Sequence, residues 1–357
     1  MRPIVTRLPA VLIRCDASPE IGLGHVVRCV ALADQLRLNH DVGVGFAMRE
    51  GSLGGEIVRQ GSYPLLQLPA ILDYEAWLSD ALRQLGARVL VADVRDDLSR
   101  STLASLARQG HLIVVLDDVS DRRLAADLAF YPPVPQVSRA DWTEFRGERF
   151  VGWEWTILRS QFTQPTAQTP RSGNSLLITM GGTDPAGLTL QAVRAIDLVP
   201  GDFSPVVILG SGFQHRRSLQ DLLGKAKRRF TVRENVSDMR AEMAQADLAV
   251  CSFGGTAYEL AATGVPAIYL CLTPDHAESA SALDQAGMGW SLGIFSDVTD
   301  ETLAEAGDRL LRDQSARETM ASRARALMDG YGARRTAEIV VDRASKLEPR
   351  SMNGLKK

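Results

Sequence analysis

The sequence contains little cysteine and little histidine, with 4 cysteines and 5 histidines in 357 residues. No two cysteines form a C-x-x-C pair, and none has a histidine beside it at metal-ligand spacing. The pattern therefore argues against a metal centre, and we expect neither a metal nor a cofactor. Reduced thiols that fill small apolar spaces are the expected state of Cys15, Cys29, Cys251 and Cys271.

An excess of basic charge and a long apolar run are also missing. The formal net charge is -3, and the 40 lysines and arginines are scattered, whereas a nucleic-acid partner requires a basic stripe. Residues 225–229 (KAKRR) are better interpreted as a solvated helix end. No apolar run approaches the roughly 20 residues that span a bilayer, and the N-terminal residues lack a signal-peptide pattern. We therefore expect a cytoplasmic protein that binds no nucleic acid and does not insert into a membrane.

Short apolar runs alternate with helical patterns along the chain, which is typical of βαβ units on parallel sheets. The length and the hydrophobic content of 45% favour two domains. The predicted strands are 10–16, 42–48, 89–93 and 112–117 in the first half, and 176–180, 205–209, 248–252 and 267–272 in the second. The predicted helices are 26–38, 98–109, 188–196, 239–245 and 257–262. Each half is therefore predicted to be an α/β, Rossmann-like, doubly wound domain.

The domain boundary is predicted from composition. The segment 164–174 (QPTAQTPRSGN) is rich in Pro, Thr, Ser and Gly and has no periodic pattern, as expected of a linker. The first nine residues and the polar stretch from Lys346 are expected to be frayed ends. The predicted units are an N-terminal domain 1–165, a linker 166–174, a C-terminal domain 175–345 and a tail 346–357.

Three times an apolar strand runs into a glycine-containing turn and then a helix, at 16–25 (DASPEIGLGH), 180–184 (MGGTD) and 252–256 (SFGGT). Glycine lets backbone N–H groups approach a ligand closely, and a helix N-terminus favours negative charge. The three turns are candidate phosphate sites, although none matches G-x-G-x-x-G or the P-loop. A purely structural role is the alternative for each single turn. Two such turns in the second half favour a nucleotide there.

His25 and Glu259 are the candidate functional side chains within these turns. His25 falls in the first helical turn after the first strand, in the same loop as Asp16 and Ser18. The helix dipole there disfavours imidazolium, so the ring is available as a base, whereas a lone histidine is more often structural. Glu259 falls in the first turn of the helix after the second Gly-Gly loop. It is either a helix-terminus carboxylate or a bidentate acceptor for two ribose hydroxyls.

The opening IRCDASPEIGLGHVVRCVALADQLR resembles the N-terminal signature of the UDP-sugar hydrolases of pseudaminic acid synthesis, the PseG family. The stretches LLITMGGTDPAGLTLQAV and ENVSDMRAEMAQADLAVCSFGGTAYELAATGVPAI are similar to the C-terminal half of that family, and VGWEWTILRSQF resembles a short motif before its linker. The similarity spans most of residues 11–290. The family is related in fold to the MurG-like glycosyltransferases, so the resemblance implies a GT-B-like arrangement of the two domains around a cleft.

The resemblance also implies roles for individual residues. His25 matches the general base that activates water against the anomeric carbon, and Glu259 matches the residue that holds the ribose. The remaining matches on the UDP side are Gly181, Gly182, Thr183, Val236 (within the uracil-side segment 235–239), Ser252, Gly254, Gly255 and Thr256. The expected substrate-binding residues on the sugar side are Asp16, Ser18, Gly24, Arg28, Arg159 and His276. Asp16 is expected to hold the loop or to orient His25.

Three departures from the family pattern fall around the sugar. Val94 and Arg95 stand where the family often has His-Tyr, and Asp275 and His276 stand where it usually has Asn-Gln. The segment 131–136 (YPPVPQ) lacks the usual Asn. The resemblance therefore supports UDP more strongly than any particular sugar.

The expected function is hydrolysis of a UDP-activated amino or deoxy sugar at the anomeric C–O bond, with inversion and release of UDP and free sugar. A glycosyltransferase that uses His25 to deprotonate a sugar acceptor is one alternative, and a non-catalytic nucleotide-sugar binding protein is another. Whether a magnesium ion binds to the diphosphate is left open by the sequence. The sequence specifies neither the sugar, nor the pathway product, nor the oligomeric state.

Overall fold

The computed structural model describes residues 10–18, 21–68, 73–95, 98–163, 175–234 and 236–347. Their strands form two sheets, one of seven strands and one of six, and every strand pair is parallel. The fold class predicted from the alternating pattern, two Rossmann-like α/β domains, is confirmed.

The first sheet has the strand order β3-β2-β1-β4-β5-β6-β7. Its strands are β1 Ala10–Cys15, β2 Val44–Arg49, β3 Leu65–Leu68, β4 Ala87–Asp93, β5 Leu112–Leu116, β6 Leu128–Tyr131 and β7 Glu148–Val151. The helices between them are α1 Gly24–His40, α2 Gly55–Gln60, α3 Tyr74–Gln84, α4 Arg100–Arg108 and α5 Pro135–Arg139. Short 3-10 helices cover Asp121–Ala125, Trp153–Trp155 and Ser160–Thr163.

The second sheet has the order β10-β9-β8-β11-β12-β13. Its strands are β8 Ser175–Thr179, β9 Ser204–Leu209, β10 Thr231–Glu234, β11 Leu248–Ser252, β12 Ala267–Cys271 and β13 Trp290–Ile294. Its helices are α6 Leu188–Leu198, α7 Arg216–Leu223, α8 Met239–Ala244, α9 Gly255–Thr263, α10 Pro274–Gln285, α11 Asp300–Arg312 and α12 Gln314–Leu327, with a 3-10 helix at Phe295–Asp297. One more helix, α13 Gly332–Ser345, follows α12 in the chain.

The eight strands and five helices predicted from periodicity are all present, with ends that differ by a few residues. Five further strands, β3, β6, β7, β10 and β13, were not predicted. Four of them are edge strands, and β7 and β10 carry mostly exposed or half-buried side chains. A short strand with one neighbour buries too little apolar surface to leave a continuous apolar run in the sequence.

The last helix, α13, crosses back to the first domain. Ala337 and Val340 on α13 are fully buried in the same core as Leu32 and Leu36 of α1. The polypeptide therefore closes the N-terminal core with its C-terminal helix. The predicted linker 166–174 and most of the predicted tail lie outside the described residues, whereas Lys346 and Leu347 directly follow α13.

Both sheets reverse their strand order beside their first strand, because β1 lies between β2 and β4 and β8 lies between β9 and β11. In open parallel sheets a crevice forms at the carboxyl ends of the strands where the order reverses, and ligands bind there. The loops after β1, β4, β8 and β11 therefore meet at the cleft between the two domains.

Candidate functional site

The cleft contains a cavity of about 740 Å³, which residues of both domains line. That volume is in the range of small-molecule sites. The cavity brings together most of the residues predicted for the site, namely Gly24, His25, Arg28, Arg159, Gly181, Gly182, Thr183, Val236, Ser252, Gly254, Gly255, Thr256, Glu259 and His276. Asp16 and Ser18 are not among its lining residues.

His25 lies in the first turn of α1, and its Nδ1 lies 2.6 Å from Oδ1 of Asp93. Asp93 ends β4, the strand beside β1, and its side chain is buried. A carboxylate only accepts hydrogen bonds, so in the neutral ring this contact favours the tautomer with the proton on Nδ1 and the lone pair on Nε2. Sequence reasoning missed Asp93 because it ends a predicted strand 68 residues away.

Arg28, one turn further along α1, links two carboxylates. Its Nε and Nη2 donate to the two oxygens of Asp93 at 2.6 Å each, and its Nη1 donates to Oδ2 of Asp117 at 3.0 Å. Burial alone would raise the pKa of Asp93, but the Arg28 guanidinium and His25 hold that pKa well below its ordinary value. Asp93 is therefore ionised at neutral pH, and the two carboxylates orient Arg28.

Asp16 and Ser18 hold the loop between β1 and α1. Asp16 accepts a hydrogen bond from the backbone N–H of Arg49 at 2.7 Å and pairs with Arg14. The backbone carbonyl of Ser18 accepts from Gly22 N–H at 2.8 Å. The carboxylate that contacts His25 is thus Asp93, and the hydrogen bonds of Asp16 go to the side chain of Arg14 in β1 and to the backbone of Arg49 at the end of β2.

Glu259 and Arg159 meet at the opposite wall of the cavity. Nε and Nη2 of Arg159 both donate to Oε1 of Glu259, at 2.9 and 2.7 Å. Burial raises the pKa of Glu259, and the Arg159 guanidinium opposes that rise. Within the described chain Oε2 has no hydrogen-bond partner, so it is the oxygen of Glu259 that is available to a ligand. Arg159 thereby orients Glu259.

The two Gly-Gly loops of the C-terminal domain differ in what they offer an anion. Asp184 caps the N-terminus of α6, since its carboxylate accepts from Leu188 N–H at 2.7 Å and Thr189 N–H at 2.9 Å. Among the described residues, no side chain caps the N-terminus of α9 at Gly254 and Gly255. A Cβ atom at either of these glycines would meet nothing within 4 Å. The α9 loop therefore has free N–H groups and space for a phosphate, whereas the α6 loop is already occupied.

His276 extends from the start of α10 into the cavity, where its ring lies 6.0 Å from that of Phe253, centroid to centroid. Burial lowers the pKa of His276 below its ordinary value, so the ring is neutral at neutral pH. Its Nδ1 is buried without a hydrogen-bond partner in the described chain. The His276 ring therefore has hydrogen-bonding capacity that no described residue uses.

Two of the three departures from the family pattern contact each other across the cleft. The side-chain amide of Gln136 on α5 donates to the backbone and carboxylate oxygens of Asp275, at 3.0 Å each, and to Oγ of Ser279 at 2.8 Å. At the third departure, Arg95 lines the cavity, whereas Val94 is buried away from it. Contact between 131–136 and 275–276 was not foreseeable from positions so far apart in sequence.

The uracil-side segment is described in part. Val236 and Met239 line the cavity at the end near α8, and Asn235 lies outside the described residues. The described chain contains no group of three or more His, Cys, Asp or Glu residues placed to hold a metal ion. It also contains no helix with the length and apolar character of a membrane span.

No family model matches the chain. The spore coat polysaccharide biosynthesis protein SpsG of Bacillus subtilis is 29% identical over 332 residues, covering 92% of this chain and 96% of that protein. The UDP-N-acetylglucosamine--N-acetylmuramyl-(pentapeptide) pyrophosphoryl-undecaprenol N-acetylglucosamine transferase of Thiobacillus denitrificans is 34% identical over 167 residues. That match covers 44% of this chain and 45% of the transferase, so the chain matches less than half of that enzyme.

Among solved structures, MurG of Acinetobacter baumannii superposes with a TM-score of 0.68 at 17% identity, covering 94% of this chain and 100% of that one. This chain has a GT-B glycosyltransferase-like fold. The UDP-GlcNAc 2-epimerase of Neisseria meningitidis, solved with UDP-GlcNAc bound, has a TM-score of 0.61 at 15% identity and covers 93% of this chain and 100% of its own. The relatives and neighbours of the chain thus include GT-B enzymes that act on UDP-sugars.

Proposed function

We propose that the protein is a hydrolase of the PseG type, which cleaves a UDP-activated amino or deoxy sugar at the anomeric C–O bond and releases UDP and free sugar. The observation that carries the proposal is that His25, held by Asp93, lines the same cavity as the N-terminus of α9, which no side chain of the described residues caps. One wall supplies a base with a fixed tautomer. The other supplies N–H groups for a diphosphate. The N-terminal half then acts on the sugar and the C-terminal half holds UDP.

UDP would bind along the C-terminal wall. Free N–H groups at Gly255 and Thr256, together with the helix dipole, suit the diphosphate. The free Oε2 of Glu259 suits a ribose hydroxyl, and Arg159 keeps that carboxylate in place. The cavity end at Val236 suits the uracil ring. The anomeric carbon would then lie between the α9 loop and His25.

Chemistry would be a single displacement. Nε2 of His25 takes a proton from water, whose oxygen forms a bond to the anomeric carbon, and the bond from that carbon to the diphosphate oxygen breaks. The electron pair of the broken bond stays on the diphosphate, which the N–H groups of α9 stabilise. Asp93 stabilises the imidazolium until the proton is lost to solvent. Since one base acts from the face opposite the leaving group, the sugar is released with inversion.

The test is release of UDP from a panel of UDP-sugars with no acceptor present. The panel contains UDP-N-acetylglucosamine, UDP-glucose and UDP-2,4-diacetamido-2,4,6-trideoxy-β-L-altropyranose. We expect stoichiometric UDP and free sugar from at least one of them, and a loss of about 100-fold or more in the His25→Ala variant with UDP affinity retained. Retention of more than about a tenth of the parent rate would remove His25 from the role of base.

A glycosyltransferase is the second candidate, because the chain is 34% identical to a UDP-N-acetylglucosamine transferase over 167 residues. On the same scaffold His25 would deprotonate an acceptor hydroxyl. UDP release that begins only when a sugar acceptor is added would favour this candidate. Tight UDP binding with every UDP-sugar left intact, with and without acceptors, would instead indicate a nucleotide-sugar binding protein.

A further inference from the structure

Asp117 lies in the cavity beside the proposed base. It follows β5 directly, and its backbone has a φ of 50°, a left-handed conformation that is uncommon for residues other than glycine, although aspartate and asparagine adopt it more often than most. Its N–H donates to the carbonyl of Phe130 at 2.9 Å, which holds the turn in place. Such conformations concentrate at functional sites, where the surrounding structure enforces them.

The carboxylate of Asp117 uses only one of its two oxygens. Oδ2 accepts from Nη1 of Arg28 at 3.0 Å, and Nη2 of Arg95 lies 3.8 Å from the same oxygen, beyond hydrogen-bond distance. Oδ1 makes no hydrogen bond with any described residue. The side chain is 29% exposed and lines the cavity. Asp117 therefore presents a charged, unused acceptor to the cleft.

A continuous chain of hydrogen bonds connects this acceptor to the base. His25 contacts Asp93, Asp93 accepts from Arg28, and Arg28 donates to Asp117. One guanidinium thus separates the carboxylate of Asp117 from that of Asp93, and both carboxylates belong to the N-terminal wall. A pyranose ring whose anomeric carbon faces His25 would place its other substituents at this wall.

We propose that Oδ1 of Asp117 accepts a hydrogen bond from a hydroxyl or an acylamino N–H on the sugar ring, and that Asp117 thereby selects the sugar. This inference rests on the proposed function, since it assigns the sugar half of the same cavity. An ionised carboxylate accepts and never donates. A sugar with a donor at that ring position is favoured, and one with hydrogen or a carboxylate there is rejected.

The alternative is that Asp117 serves only to hold Arg28. The two roles differ in which ligand they affect. A group that holds Arg28 and the base influences UDP and every UDP-sugar alike, or only the rate. A group that binds the sugar alters the affinity that the sugar adds to UDP and leaves UDP itself unchanged.

The experiment is calorimetry with UDP and with the methylene analogues of the three UDP-sugars named above, in which CH2 replaces the anomeric oxygen and prevents turnover. The ratio of the UDP dissociation constant to that of each analogue measures what the sugar contributes. In Asp117→Ala we expect this ratio to fall about tenfold or more for at least one analogue, because the lost hydrogen bond involves a charged group. The UDP constant should stay within about twofold of the parent.

Asp117→Asn separates the two donor types. Arg28 requires an acceptor, so the amide oxygen faces Arg28 and the amide NH2 faces the cleft. A sugar hydroxyl is able to turn and accept from that NH2, whereas an acylamino N–H is not. Retention of the ratio in Asp117→Asn with loss in Asp117→Ala identifies a hydroxyl, and loss in both variants identifies an N–H.

Asp121→Asn is the matched control, because Asp121 is an exposed carboxylate four residues along that does not line the cavity. Its ratios should equal those of the parent. The assignment of Asp117 is overturned if Asp117→Ala binds UDP and all analogues more weakly by the same factor. It is also overturned if no ratio changes. The same holds if no analogue binds the parent more tightly than UDP does. Failure of UDP itself to bind the parent is a different result, and it overturns the proposed function.

Discussion

The Nδ1 atom of His25 lies 2.6 Å from Oδ1 of Asp93, although the two residues stand 68 positions apart. The pairing exists because β1 and β4 are neighbours in the sheet, with Cys15 in register with Asp93. The loop after β1 places the histidine at the start of α1, and the end of β4 places the carboxylate beneath it. The pair defines which ring nitrogen faces the cleft, and this leads to the first prediction.

Asp93→Asn should lower kcat by about 100-fold or more while leaving the dissociation constant of UDP nearly unchanged. An amide is able to donate to Nδ1 as well as accept from it, so the ring no longer has one enforced tautomer. Nitrogen-15 NMR of the labelled histidine should report protonated Nδ1 in the parent and a mixture in the variant. A normal kcat, or an unaltered tautomer signal, would contradict the role of Asp93. Asp41→Asn, at the exposed end of α1, is the control.

The Glu259→Gln variant should bind UDP about tenfold more weakly than the parent, since a hydrogen bond to a charged acceptor is lost. The effect should depend on the ribose. The parent should bind UDP more tightly than 2′,3′-dideoxy-UDP, and the variant should bind both with similarly low affinity. Calorimetry measures all four constants. If UDP binds the parent and the variant equally, Glu259 does not contact the ribose. Glu305→Gln, on the exposed surface of α11, provides the comparison.

Hydrolysis in oxygen-18 water should place the label in the sugar and none in UDP. Water activated by His25 attacks carbon, so the original glycosidic oxygen leaves with the diphosphate. Mass spectrometry of both products locates the label, and early proton NMR spectra should show the inverted anomer before mutarotation. Label in UDP would mean attack at phosphorus, which is incompatible with a base opposite the anomeric carbon.

Acid should destabilise the protein partly through His276. Burial lowers the pKa of this residue in the folded chain below the value of about 6.5 for an unfolded one. Between the folded pKa and 6.5 the unfolded state binds more protons, so the free energy of unfolding falls as the pH drops through that range. The His276→Gln variant lacks this contribution. Urea unfolding at pH 7.5 and pH 5.5 should therefore show a smaller loss for the variant than for the parent, and an equal loss would contradict the prediction.

The sequence by itself determined the features that arise from neighbours along the chain. Strand, glycine turn and helix follow one another within a few residues around His25 and around Gly254, and their periodicity is visible without any tertiary information. Two α/β halves, the helix-terminus position of His25 and the Gly-Gly loop before Glu259 could therefore be predicted. The short edge strand β10 (Thr231–Glu234) could not, because it buries little apolar surface.

Tertiary structure alone decided which distant side chains meet. Strand order brings Asp93 and Asp117 beside α1, and the closure of the two domains brings Gln136 to Asp275. Arg159 reaches Glu259 because Leu158 and Phe162 on either side of it pack into the core of the second domain. Periodicity indicates which face of an element is buried, but it does not indicate which strands are its neighbours in the sheet. An acidic residue at a strand end has the same local pattern whether it contacts a base, a sugar or solvent. The partners of these carboxylates therefore depend on strand order and domain packing, which local sequence does not encode.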